Sequence, residues 1–466
     1  MEASEQEKTT NRHTGQIDML HGPLFKKILI FALPLAASSI LQQLFNSVDV
    51  AVVGRFASSQ ALAAVGSNSS VISLMINLFV GISVGANVVI ANYIGQQEKD
   101  KIKNAVHTVL VVALISGIFL LFLGLMIARP ILEAMSTPED IIDLAVLYLR
   151  IYFLGMPFFM VYNFGSAILR SIGDTKRPLY CLIIAGVVNA GLNLLLVIVF
   201  HMSVAGVAIA TVISNVVSAG IILRILTHEK EPIRIYFRKL SIKKEILKRV
   251  LKIGVPAGVQ SMVFSLANVF IQAEVNSFGS DAVAGSAAAL NFEYFTYFLI
   301  SAFSQATVTF TSQNYGAMRL DRCKKIFQIN LFTGMLFCGL LSLTFVLGKD
   351  LFIRFYTADE AVVQYAAFRM MHVLLFEFLT GTYEISGAAM RGLGYSMTPA
   401  VITILGSCVF RLVWVYTVCQ YYTSFEALMN VYPVSWIITG TAALIAYFTI
   451  RKKVYRATMA AAYNKT

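Results

Sequence analysis

Charge is scarce in this chain. Asp, Glu, Lys and Arg make up 13% of its 466 residues, where a soluble domain carries about 25%. That scarcity excludes an ordinary soluble globular protein. Five cysteines, at 181, 323, 338, 408 and 419, show no paired spacing, so no disulfide framework is expected and they read as packing residues. The six histidines form no cluster with metal-ligand spacing. Neither a phosphate-cradling glycine loop nor a zinc-hydrolase signature occurs, so an ATP-driven pump or a membrane metalloprotease is unsupported, and neither enzyme activity nor a cofactor is expected. The first twenty residues also lack the basic-then-apolar layout of a cleaved signal.

What the chain has instead is apolar length. Hydrophobic residues reach 57% and mean hydropathy is +0.72. Apolar runs separated by short polar connections predict twelve membrane helices, called spans 1 to 12 below. They lie near 24–54, 61–94, 104–128, 139–166, 178–200, 204–226, 246–278, 283–314, 324–348, 360–390, 398–422 and 426–450. The fold class is therefore an all-α polytopic membrane protein. If the N-terminus is cytosolic, the inner segments carry 30 Lys and Arg and the outer connections only Arg55, Arg129, Lys349 and Arg354. Positive-inside bias then puts both termini in the cytosol of a cell (inner or plasma) membrane. It also accounts for the net charge of +12 without nucleic acid. The most basic stretch, RIYFRKLSIKKEILKRVLK, reads as this bias together with contact with anionic lipid.

The chain repeats once. RSIGDTKRP at 170–178 matches RGLGYSMTP at 391–399 in Arg, Gly and Pro, 221 residues further on. Ser83 and Ser304, Gly95 and Gly316, and Ala61 and Ala282 keep the same displacement. Pro34 and Pro256, with Asn46 and Asn268, keep 222. Each half holds six helices, so the halves share one orientation and form two bundles related by a parallel pseudo-twofold repeat. The expected organisation is a tail at 1–23, bundles at 24–226 and 246–450, a basic linker at 227–245 and a second tail at 451–466. Two bundles of this kind favour a secondary transporter working by alternating access.

One acid stands apart. Asp49, in FNSVDVAVVGRF, lies inside an otherwise apolar run, where a carboxylate is costly and marks a pathway. It falls about six residues short of the outer end of span 1, roughly 9 Å of helix. Tyr148, Asn189, Asn193 and Thr211 fall at a similar depth, with Asn189 and Asn193 one turn apart. These groups can make a proton-carrying hydrogen-bond network or an oxygen cage for a small cation. Arg150 is the structural alternative, as an ion-pair partner for Asp49. In the second half, Arg369 and Arg411 are expected partners for Glu293 and Glu377, as a buried polar network with cation recognition as the alternative. Gly81 and Gly85 are expected to allow close helix approach.

The segments LPLAASSILQQLFNSVDVAVVGRF, YLRIYFLGMPF, LRSIGDTKRP, VNAGLNLLLV and VAGVAIATVIS, with GSDAVAGSAAA, SQNYGA and MRGLG in the second half, resemble the prokaryotic multidrug and toxic compound extrusion (MATE) transporters in order and spacing. The resemblance implies cation-coupled drug export, with Asp49 as the coupling acid and Tyr148, Asn189, Asn193 and Thr211 around it. A sodium ion at Asp49, Asn189, Asn193 and Thr211 is the candidate metal site. Some relatives carry a second acid where Asn193 stands, and sodium-linked acids in spans 7 and 10. Here the corresponding positions are apolar or hydroxylic, and Glu274 and Glu384 lie elsewhere.

The expectation is a monomeric antiporter exporting amphipathic, cationic organic compounds in exchange for H+ or Na+, with membrane lipids as its other partners. A lipid-linked precursor flippase of similar architecture and a non-transporting receptor or scaffold are the alternatives.

Overall fold

The computed structural model describes residues 16–135 and 137–463. Residues 1–15 and 464–466 of the expected tails, and Ser136, lie outside the described residues. Among the described residues there are helices and no strands. Ten helices are long and apolar enough to cross a membrane, and Glu139–Leu154 with Met156–Ser171 forms an eleventh span bent by 48°. The bend falls where Gly155 and Pro157 interrupt the helix, since proline removes a backbone donor. Span 8, Ser280–Gly316, has the length at 37 residues but is rich in Ser, Thr, Asn and Gln. Those side chains are buried: Ser286, Thr296, Thr307, Thr309, Ser312 and Asn314 are all inside.

Two corrections to element boundaries follow. Span 10 is not one regular helix: Glu360–His372 and Thr380–Gly392 are joined by a 3-10 stretch at Leu374–Leu379. The last helix, Val431–Tyr463, continues through most of what was expected to be a tail.

The repeat is written into the backbone as well as the sequence. Gln97 and Met318 end the second helix of each half with φ of 59°, and Gly173 and Gly394 turn the chain at φ of 88° and 90°. Both pairs are 221 residues apart. Gly173 needs its missing side chain, because a Cβ would stand 2.6 Å from the Ile17 carbonyl oxygen.

The chain folds into two compact units whose boundaries differ from the linker-based division. One unit holds Ala37–Gly258 with the described residues before Met19; the other holds Met19–Ala36 and the chain from Val259 onward. The start of span 1 therefore packs in the second unit, where Phe31 meets Phe310 edge to face at 5.4 Å. There Asn314 donates to the Met19 carbonyl at 3.1 Å and Arg319 to that of Leu20 at 2.6 Å. The start of span 7 packs in the first unit. A Cβ on Gly81 would overlap the Gly258 backbone, and one on Gly85 would overlap the Val250 carbonyl. These glycines are where helices approach closely, as the small-residue pattern predicted. Pro34 and Pro256 each stand three residues before the chain changes unit.

Candidate functional site

Within the first unit, the register between spans 1 and 5 is set by a close contact. A Cβ on Gly186 would overlap the Phe45 ring, so glycine there admits the ring of span 1. One turn along span 1 from Phe45 stands Asp49, and one and two turns along span 5 from Gly186 stand Asn189 and Asn193. Span 5 then widens into a π turn at Leu195–Val199, immediately after the second Asn.

Four expected residues form one chain of hydrogen bonds. The Asn193 side-chain nitrogen donates to Asp49 and, at 3.2 Å, to Asn189 Oδ1. Asn189 donates to the Thr211 hydroxyl at 3.4 Å, and Thr211 donates to the Val207 carbonyl at 3.0 Å. Asn193 is fully buried and Asn189 nearly so, while Asp49 and Thr211 keep part of their surface. The Asn193 oxygen is buried with no partner among the described residues.

Tyr148 is buried and stacks on Tyr152 at 5.9 Å, and both rings neighbour Asp49. Tyr152 is a residue that sequence reasoning missed, although its spacing of four from Tyr148 places it on the same helix face. Asn68 was missed too. It donates to the Ala64 carbonyl at 2.9 Å and to the Ala145 carbonyl at 3.0 Å, tying span 2 to span 4 one turn before Tyr148. Arg150 is exposed and forms no ion pair with Asp49, so that alternative does not hold.

The donor set bears on which cation can sit here. Na+ needs oxygen ligands, whereas the arrangement turns an Asn193 N–H toward Asp49; Asn189 Oδ1 accepts from Asn193, and the Thr211 hydroxyl accepts from Asn189. Turning the Asn193 amide would bring its free oxygen to the carboxylate. Among the described residues no group of three His, Cys, Asp or Glu could hold a metal ion.

In the second unit, the expected pairings are half met. Arg369 pairs with Glu293 through two hydrogen bonds. Arg411 does not pair with Glu377. Its Nε donates to the Ser435 hydroxyl at 3.1 Å and its guanidinium lies 4.6 Å from the Tyr432 ring centre, which Arg369 also covers at 5.3 Å. Glu377 accepts instead from Thr296 at 2.7 Å. The reason is local geometry: Glu377 sits in the 3-10 stretch of span 10, whose different winding turns it toward span 8. Glu384 meets Tyr297 at 3.5 Å.

The family model MatE matches this chain twice, at residues 34–195 and 256–417. The chain belongs to the MatE family. Each match covers one half of the internal repeat. "Probable multidrug resistance protein YoeA" of Bacillus subtilis is 30% identical over 82% of this chain and 84% of its own length. "Probable multidrug resistance protein NorM" of Thermotoga maritima is 25% identical over 85% and 86%. "Multidrug export protein MepA" of Staphylococcus aureus is 21% identical over 82% and 85%. Among solved structures, the outward-facing conformation of a multidrug resistance MATE family transporter matches 95% of this chain and 99% of that one, with a TM-score of 0.88 and 22% identity. This likeness fixes the fold: twelve helices in two six-helix bundles of a multi-pass membrane protein.

Proposed function

We propose that this MatE protein is a secondary antiporter of the plasma membrane, exporting amphipathic cationic organic compounds, with both termini cytosolic. Asp49 is its coupling acid. The observation that carries the reading is that Asp49, at membrane depth, is held by a carboxamide and, among the described residues, by no ion pair. A buried acid without a counter-charge is free to exchange a small cation, while an ion-paired one is locked. The names of the relatives support drugs as the exported class, and alternating access by two bundles supports antiport.

With the Asn193 N–H turned toward the carboxylate the arrangement suits H+ as the coupling ion, and rotation of the same amide would present its oxygen and suit Na+. Loading a proton changes what Asp49 can do: a carboxylate only accepts, a carboxylic acid also donates, and the free Asn193 oxygen is the nearest new acceptor. A change at Asp49 then passes along Asn193, Asn189 and Thr211, which lie on spans 5 and 6. A phosphate-handling flippase is not favoured, since Arg369 is already neutralised by Glu293 and Arg411 is covered by aromatic rings.

The test is transport of a fluorescent organic cation in sealed vesicles, with a proton gradient and a sodium gradient each imposed alone. Wild-type protein should respond to the proton gradient. Asp49→Asn keeps size and polarity, so it should reach the membrane, bind the cation and fail to export it under either gradient. Export by Asp49→Asn at the wild-type rate would overturn the assignment.

A further inference from the structure

We propose that a cleft at the basic end of the first unit, where span 5 begins and span 6 ends, is a binding site for the headgroup of an anionic phospholipid. The cleft is open to the surface, offers about 470 Å³ and is lined by Arg177, Ile221, Arg224, Ile225, His228, Glu229 and Lys230. Its chemistry is split. Ile221 and Ile225 give an apolar wall, and the other residues gather charge at one end, which matches a molecule with an acyl chain and a phosphate.

The charges are not all free, and the difference matters. Arg177 is clamped: it donates to Asp174 through Nε and to Glu229 through Nη1 at 2.5 Å. Asp174, fully buried, also accepts the backbone N–H groups of Lys176 and Arg177 at 3.1 Å. Glu229 is further engaged by Gln16 and by the backbone of Lys230. Both acids are thus spent on Arg177 and the backbone. Arg224 and Lys230 are exposed and have no carboxylate partner among the described residues. His228 turns Nδ1 back to the Arg224 carbonyl at 2.9 Å, which leaves Nε2 as its available nitrogen.

Position supports a lipid in particular. The membrane helices Lys176–Val199 and Ser203–Thr227 begin and end beside the cleft, so its cations stand at headgroup depth. General positive-inside bias does not explain it, because the repeat does not reproduce it. The positions 221 residues further on are Thr398 for Arg177, Ile445 for Arg224, Thr449 for His228 and Ile450 for Glu229; only Lys230 has a cationic counterpart, Arg451. The lining residues are thus not repeated position for position, although span 12 ends on a cation cluster of its own at Arg451, Lys452, Lys453 and Arg456.

The proposal is independent of what the protein transports, and native mass spectrometry of the full-length, delipidated protein tests it. Phosphatidylglycerol, phosphatidylcholine and inorganic phosphate are each added alone. Wild-type protein should retain one phosphatidylglycerol in preference to phosphatidylcholine. The exposed pair Arg224→Gln with Lys230→Gln should weaken that retention about 30-fold, at about fivefold per surface cation. Lys243→Gln with Lys244→Gln removes the same charge from the linker and should leave it within about twofold. The unfolding temperature of each variant should match wild type, which separates loss of binding from loss of fold. Equal losses in both pairs, no preference for phosphatidylglycerol, or displacement of the lipid by inorganic phosphate at a similar concentration would each overturn the assignment.

Discussion

Arg369 holds Glu293 with two donors at once, Nε to Oε1 at 2.6 Å and Nη2 to Oε2 at 2.9 Å, with both residues buried. The cost of desolvating such a pair is offset only while both members are present. Arg369→Met alone leaves a bare carboxylate and should lower stability by about 3–5 kcal/mol. Adding Glu293→Leu should restore most of the loss. Unfolding midpoints of the two singles and the double in detergent check this; a double no better than the singles would mean the pair does not act as one.

Glu377 behaves differently because its direct partner is the Thr296 hydroxyl, while Arg369 is paired with Glu293. Glu377→Gln retains an oxygen to accept from Thr296, so the unfolding midpoint should move by no more than about 1 kcal/mol of stability. A loss as large as that of Arg369→Met would show that Glu377 is a member of the ion-pair network after all.

Gly186→Ala puts a methyl group into the Phe45 ring. Overpacking of this kind costs about 1–3 kcal/mol, and here the displaced residue is one turn from Asp49. Export should fall more than membrane level does, and Phe45→Leu in the same chain should recover part of it. No recovery in the double would disconnect the Phe45 contact from the site.

Sidedness is checked by labelling. After the native thiols are silenced, Ser241→Cys in the linker should be shielded from an impermeant thiol reagent in intact cells, while Ser280→Cys should react. The opposite pattern would reverse the orientation drawn from the Lys and Arg distribution.

Asn193→Leu removes the donor shared by Asp49 and Asn189. The variant should still insert, since no charge is stranded that was formerly paired, but proton-driven export should drop by at least about tenfold. Export unchanged would take Asn193 out of the coupling chain.

Much of this site was legible because membrane-embedded polar residues are few. Asp49, Asn189, Asn193 and Thr211 stand out of apolar sequence, and helical depth alone brings them to one level. The contacts that fix them were not legible: Gly186 and Asn68 look like ordinary packing residues until the partner helix is known, and Tyr152 is one of 20 tyrosines. Charge alone offers Arg369 and Arg411 as partners for Glu293 and Glu377 without saying which arginine stays unpaired. The 3-10 winding that takes Glu377 to Thr296 leaves no mark in composition. The compact units and the sequence-based division mark different things. A linker of high charge shows where the sequence changes character, but the packing changes hands inside two helices, at positions marked only by Pro34 and Pro256.

Those two handovers have a consequence for assembly. Severing the chain between Thr227 and Lys244 yields two fragments, each missing a stretch that completes its own core: residues 244–258 for the first, 19–36 for the second. Neither fragment is self-sufficient, and each holds the other's missing piece. The first unit therefore remains unfinished during synthesis until the ribosome has delivered the start of span 7.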